Sequence, residues 1–369
     1  MTDSEKTAQQ VRMCAACPKM CRHVCPTFFA WRSDSPTPHG RALLLHHDNL
    51  GLRQLDERAV EVIYQCLECS HCLTWCLPEI DIATIVEDAR RILVSQDRFP
   101  KGLETIRSSV LSNHNPFCEP HEKRVAKIRF KKTKSADVIY FTGCTAAYRE
   151  HGIANASIEA LKEFGFNVSI PDDEWCCGSP LLRTGFTSEA LEQARHNVEI
   201  LNEMSGETIL TTCPGCYRVL TQDYPVNDLR IEKPVMHLSQ FLAKHIDKVP
   251  KGNLAGGVTF HDPCHLGRHC GVYEEPRLVI ERITGESVKE MERSRDNAMC
   301  CGNGAGFRTL FSSQAKKIGG ERVRQAALTG SRYLITACPF CRNLLASEAG
   351  ETLEVLDLPE LVMTVLRKR

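Results

Sequence analysis

The distribution of apolar positions divides the chain into two kinds of territory. In the first 110 residues, apolar side chains recur at helical spacing. They do so around Leu43–Leu45 and Val60–Ile63 within "GRALLLHHDNLGLRQLDERAVEVIYQ", and again through "IATIVEDARRILVSQ". A period of 3.6 predicts amphipathic helices there, and no alternating strand pattern competes with it. From residue 136 the pattern changes to strand-like runs, "DVIYFTGC", "TILTTCPGC", "GVTFHDPC" and "YLITACPFC", separated by helix-like stretches such as "EALEQARHNVEILNEM" and "QAKKIGGERVRQAAL". Each of two halves closes on a short strand and helix, "PVMHLSQFLAKHI" and "LEVLDLPELVMTVLRKR".

The alternation is a repeat. Matching cysteines in the two halves are offset by 120, 124 and 125 residues, with matching flanks. Drift that small marks a duplicated α/β domain. The expected organisation is therefore α + α/β: a helical segment over residues 1–110, a basic linker over 111–135, and α/β domains over 136–250 and 256–369. In the linker, "HNPFCEPHEKRVAKIRFKKTK", two prolines break structure and seven Lys/Arg follow closely. It reads as a solvated strip, with docking to an acidic partner as the alternative.

Composition narrows the chemistry. Basic and acidic residues balance at 46 each, so nothing points to nucleic acid or a charged membrane surface. No apolar run approaches the roughly 20 residues needed to cross a bilayer. The polar start "MTDSEKTAQQVRM" lacks the apolar stretch of a secretory signal, so a cytoplasmic protein is expected, or one held at the inner face of the membrane through a partner. Cysteine is the outlier, at 20 of 369 residues. Cytosolic thiols stay reduced, and such density there means metal more often than disulfides.

Eight of these cysteines form two dense runs. "CAACPKMCRHVCP" holds Cys14, Cys17, Cys21 and Cys25, and "CLECSHCLTWCLP" holds Cys66, Cys69, Cys72 and Cys76. The second run spells C-x2-C-x2-C-x3-C; the first is one residue longer in the middle and ends in proline. In ferredoxins with two cubane [4Fe-4S] clusters, three cysteines of a run share one cluster and the fourth binds the other. On that pattern Cys14, Cys17, Cys21 and Cys76 hold one cluster, and Cys66, Cys69, Cys72 and Cys25 hold the other. Two structural zinc sites are the alternative, because four thiolates also suit zinc. The long helical insert between the runs resembles the α-helical ferredoxin domain of respiratory iron–sulfur subunits.

Each half of the repeat supplies five more: Cys144, Cys176, Cys177, Cys213 and Cys216, then Cys264, Cys300, Cys301, Cys338 and Cys341. Five exceeds the four ligands of tetrahedral zinc, whereas adjacent thiolates can bind different irons of one cluster. Gly178 and Gly302, which follow the doublets, permit close backbone approach. Several of these cysteines stand where strands are expected to end, the usual position of ligands in open α/β sheets. His261, His265 and His269 flank Cys264; they either cap turns and hydrogen-bond sulfur, or one donates a proton. "GNGAG" at 302–306 lacks the full nucleotide fingerprint and reads as a loop around a cluster. No Walker A, HExxH or Rossmann motif occurs, so no intrinsic flavin or NAD is expected. Cys118 and Cys270 remain as incidental or structural thiols.

The spacings C-x31-CC-x35-C-x2-C and C-x35-CC-x36-C-x2-C, with "HDPCHLGRH" and "CCGNGAGFR", resemble the CCG, or cysteine-rich, domain family. With the ferredoxin-like runs in front, nearly the whole chain resembles the iron–sulfur D subunit of heterodisulfide reductase and the iron–sulfur subunits of glycolate, glycerol-3-phosphate and lactate oxidation systems. The resemblance implies one noncubane [4Fe-4S] cluster per complete CCG motif, beside the two cubanes. It further implies either an electron-transfer subunit or a disulfide reductase that cleaves its substrate between the two CCG sites. Partners would be other redox subunits: a flavoprotein, an iron–sulfur protein or a membrane cytochrome. A zinc-stabilised scaffold is the reading without redox chemistry.

Overall fold

A computed structural model of the chain describes residues 3–130 and 136–368. The first part is helical. Helix Asp3–Ala15 packs against helix Pro38–Asn49, and helices Glu57–Tyr64 and Ile82–Ser95 pack on each other. The expected helix over 82–96 is present, whereas the stretch after Leu43 breaks into two helices around residues 50–56. Asp56 caps the second of these by accepting from Ala59 N–H at 2.8 Å.

Two parallel sheets follow. The first orders its strands β2-β1-β3-β4, with β1 Val138–Tyr140, β2 Val168–Ser169, β3 Thr208–Thr211 and β4 Val235–His237. The second orders them β5-β6-β7, with β5 Val258–His261, β6 Tyr333–Thr336 and β7 Glu354–Asp357. The strand-like runs of the sequence are these strands. Strands β1, β5 and β6 are fully buried, as parallel strands covered on both faces are. β2 has no strand counterpart in the second half, where Lys289 N–H bonds the Val258 carbonyl at 2.8 Å instead. A two-residue strand carries too little pattern to be read from sequence.

The halves interlock. The last helix of each packs on the first long helix of the other: Leu358–Leu366 on His151–Glu163, and Leu238–Lys244 on Glu274–Thr284. This exchange brings the carboxyl ends of both sheets to one interior region. The N-terminal helices dock there too, with Pro26–Trp31 against Ser312–Ala327 of the second half. Arg90, 0% exposed, ties the parts together. Its guanidinium donates to the carbonyls of Ile63, Tyr64 and Cys66, to Arg183 O of the first half, and to the buried carboxylate of Glu68.

The basic linker is exposed at Lys123, Lys127 and Arg129, as a solvated strip would be, but not at Arg124. Arg124 and Glu174, 3% and 0% exposed at their side chains, form a buried ion pair. Ile128 is buried, and Arg129 N–H bonds Asn155 Oδ1 at 2.7 Å. A charge buried with its partner is a structural element, and local charge density in the sequence cannot reveal a partner fifty residues away. Lys131, Lys132 and Lys134 of that run lie outside the described residues.

Candidate metal centres

Of the eighteen cysteines of the four expected sets, eleven are buried and seven half-buried. Cys14 lies in the last turn of helix Asp3–Ala15, and Cys21 in the tight turn Met20–Val24. Burial, then the neighbouring thiols Cys21, Cys17 and Cys76, push Cys14 up to about 12. Burial with Cys25, Cys76 and Cys17 does the same to Cys21. Cys72 is raised by burial and by Cys66, Cys69, Cys21 and Cys25. Cys76 therefore joins the Cys14 neighbourhood, and Cys25 lies near Cys72. Left-handed backbone at Glu68 and Ser70 (φ 49° and 52°) curls the second run. Backbone N–H groups of Glu68 and Ile80 approach the sulfurs of Cys66 and Cys76 at 3.4 and 3.3 Å.

In the first half, Cys144 begins a helix directly after β1, Cys213 ends the β3 segment, and the Cys176–Cys177 doublet precedes Gly178 (φ 89°). A Cβ on Gly178 would sit 3.2 Å from the Ala190 carbonyl oxygen, and one on Gly302 only 2.8 Å from that of Ala315, so both turns require glycine. Tyr224 Oη and Asn197 Nδ2 donate to the carbonyls of Cys177 and Cys176 at 3.1 and 3.0 Å and fix the doublet. Cys177 is pulled down by its contacts with Cys176 and Cys216, while contact with Cys176 pushes Cys144 well up. Neighbouring thiols in one buried set share protons in this way.

The second half repeats the arrangement. Cys301 contacts Cys300 and Cys341, Cys300 contacts Cys264, and Cys338 caps helix Pro339–Ala349 by accepting from Cys341 N–H at 3.4 Å. The helix dipole favours negative charge at that sulfur. His261 joins the set: its ring nitrogens and the sulfurs of Cys301 and Cys341 offer ligand atoms within 4.8 Å of one another. His269 Nε2 lies 2.8 Å from the Glu68 carbonyl oxygen and so helps hold the second ferredoxin-like run, while His265 Nδ1 has no hydrogen-bond partner among the described residues. The 302–306 loop packs beside that run, a Cβ on Gly304 lying 3.7 Å from the Leu67 carbonyl oxygen. Cys118 is exposed, and Cys270 accepts from Gln222 Nε2 at 3.6 Å; neither joins a thiol set.

Two contacts order the sets. Cys69 is lowered chiefly by contact with Cys300, so the second ferredoxin-like run touches the second half. Cys338 is raised by burial and by the charge of Cys213, and Asp357 at the end of β7 feels both cysteines, so the thiols of the two halves lie within electrostatic reach of each other. The series runs from the Cys14 neighbourhood to the Cys66–Cys72 run, then to the second half, then to the first. Sequence reasoning passed over the arginines of this interior. Arg268 bonds Cys69 O at 2.6 Å and stands among Cys69, Cys264 and Cys300; burial opposes its charge and those sulfurs restore it. Arg124 Nη1 stands 3.7 Å from Cys144 Sγ. Buried cations suit sets of thiolates around an anionic group, which zinc with four thiolates and a fifth to spare fits less well.

The "CCG: Cysteine-rich domain" family model matches residues 138–221 and 258–346. The D subunit of dihydromethanophenazine:CoB–CoM heterodisulfide reductase from Methanosarcina barkeri is 34% identical over 98% of this chain and 96% of its own length. The EtfAB:quinone oxidoreductase of Syntrophomonas wolfei is 28% identical over 82% of this chain and 46% of its own. Among solved structures, a hypothetical protein from Helicobacter pylori shares the fold at a TM-score of 0.59, 11% identity, covering 100% of this chain and 74% of that one.

Proposed function

The chain belongs to the cysteine-rich CCG-domain family that includes the D subunit of heterodisulfide reductase, and on that premise we propose that it is the iron–sulfur electron-transfer subunit of an oxidoreductase complex. The observation that carries this reading is the series of thiol sets, joined by the Cys69–Cys300 contact and by the electrostatic influence of Cys213 on Cys338. Cys14, Cys17, Cys21 and Cys76 would hold one [4Fe-4S] cubane and Cys66, Cys69, Cys72 and Cys25 the second. Cys144, Cys176, Cys177, Cys213 and Cys216, and Cys264, Cys300, Cys301, Cys338 and Cys341, would hold one noncubane [4Fe-4S] cluster each. Bound there, such clusters supply one-electron transfer.

The chain's own groups do the rest. Arg268 and Arg124 balance negative charge at the sulfurs, and helix Pro339–Ala349 directs its N-terminus at Cys338. The two-electron partner at the far end of the chain of sites is another redox subunit: a flavoprotein, an iron–sulfur protein or a membrane cytochrome. No helix among the described residues is long and apolar enough to cross a membrane. Cytoplasmic location, or attachment at the inner membrane face through such a partner, completes the proposal.

A second reading, disulfide reduction at the two CCG sites, is favoured by the electrostatic influence of Cys213 on Cys338 across the two halves. Cleaving a disulfide takes two electrons and two protons and yields two thiols. Anaerobic analysis is expected to find roughly sixteen irons with matching sulfide per chain; zinc with little iron would overturn both readings. Oxidation of the reduced protein by organic disulfides, with new paramagnetic signals, selects the second.

A further inference from the structure

From the hydrogen bonding of one buried histidine we infer that His261 is a fixed N–H donor to the thiolate sulfurs of the second CCG site, setting that site's reduction potential above the value its cysteines alone would give. His261 ends β5 and is 0% exposed. Arg322 Nε donates to its Nδ1 at 3.0 Å. A guanidinium Nε–H can only donate, so Nδ1 must offer its lone pair. The neutral ring then carries its proton on Nε2. An imidazolium is ruled out by the same contact, since both ring nitrogens would be donors.

Nε2 has no hydrogen-bond partner among the described residues, and one ring nitrogen of His261 and the sulfurs of Cys301 and Cys341 lie within 4.8 Å of one another. With Nδ1 occupied by Arg322, Nε2 is the nitrogen left to donate to those sulfurs. The same three residues could pass for a mononuclear metal site. A metal on Nε2, however, would need the ring proton on Nδ1, directed at the Arg322 N–H. Arg322 cannot easily turn away, because Nη1 bonds the Arg293 carbonyl at 2.8 Å and Gln325 Oε1 at 3.0 Å. His261 is a donor and not a ligand.

The first half has nothing equivalent. Strand register sets Tyr140 opposite Leu210 and Phe260 opposite Ile335, which makes Phe141 the counterpart of His261. Phenylalanine offers no donor. The first half's nearest cation, Arg124, reaches a different sulfur, that of Cys144, and is neutralised by Glu174. Hydrogen bonds to cluster sulfurs raise reduction potential, so the duplicated sites are unequal. The site touching Cys69 carries the extra donor, and an electron arriving from the ferredoxin-like run is held there.

This rests on the iron–sulfur reading, and the test separates the two. The full chain, loaded and kept anaerobic, is titrated potentiometrically with paramagnetic resonance detection. The second-site signal is the one that Cys301→Ser removes. His261→Phe is expected to keep the full iron content and lower that signal's potential, cutting its reduced-to-oxidised ratio about tenfold at a fixed poise, about 59 mV for a one-electron couple. The other signals stay where they were. His261→Gln, which keeps an N–H donor, is expected to recover part of the shift, and it decides the matter should His261→Phe fail to fold. An unmoved potential at full iron content overturns the inference, as does loss of the second cluster alone, which would make His261 a ligand. Absence of iron from the parent protein overturns the iron–sulfur reading instead.

Discussion

The two halves hold their five cysteines in the same frame and support that frame with different residues. In each, the loop after the first strand is pinned by a buried carboxylate paired with arginine. In the first half the carboxylate is Glu174, which accepts from the N–H groups of Thr142 and Gly143 at 2.8 and 2.9 Å and pairs with Arg124 from the preceding segment. In the second half it is Asp262, inside the loop itself, held by both arms of Arg277 at 2.7 and 3.0 Å. The second half makes the Cys69–Cys300 contact with the ferredoxin-like run, and it has a histidine where the first has Phe141. The cysteines match between the halves, while the charges and donors around them differ. Equal cysteine sets in unequal surroundings are what the proposed directional series would require.

The strongest way to break the comparison is to remove one doublet at a time. Cys301→Ser is expected to remove about four irons per chain and leave the first-half and ferredoxin signals intact; Cys177→Ser should do the converse. Loss of all clusters together, read by iron content and resonance spectra, would show that the sets are not separate modules. Next come the pinning pairs. Glu174→Ala strands Arg124 in the interior and should cost about 3–5 kcal/mol, measured by denaturant unfolding of the loaded protein. Asp262→Ala should cost less, because Arg277 keeps Glu290 at 2.6 Å.

How much of this was legible in the sequence depends on the range of the interaction. Cysteine spacing is local, so the repeat and the strands carrying the thiols could be read directly. The turn glycines were equally plain, since "CCG" needs a residue with left-handed freedom after the doublet. Long-range facts were hidden. Nothing in "CLECSHC" announces that Cys69 meets Cys300, because that contact depends on how the helical part docks. Arg124 looked like one charge among seven, and its burial depends on Glu174. The exchange of terminal helices between halves is a packing outcome with no sequence signature. His261 was visible as a candidate, but its role follows from Arg322, sixty-one residues away.

Smaller effects sharpen the order of the sites. Cys76→Ser is expected to damage the cluster built on Cys14, Cys17 and Cys21 and spare the one built on Cys69, because Cys76 belongs to the Cys14 neighbourhood. Selective loss of the Cys69 cluster would reverse that pairing. Arg268→Gln removes the cation standing among Cys69, Cys264 and Cys300 while keeping a donor for the Cys69 carbonyl. It should lower the potentials of the second-half site and of the Cys66–Cys72 site together, by a fraction of a tenfold change in reduced population, and leave the first half unmoved in the same titration.

The most direct test of the series is the magnetic interaction between neighbouring centres in the fully reduced, loaded protein. The signal of the Cys66–Cys72 site is expected to be broadened by spin coupling to the second half and to sharpen in Cys301→Ser but not in Cys177→Ser. A line shape that ignores Cys301→Ser, or responds to Cys177→Ser in its place, would contradict the order of sites from which the function is argued.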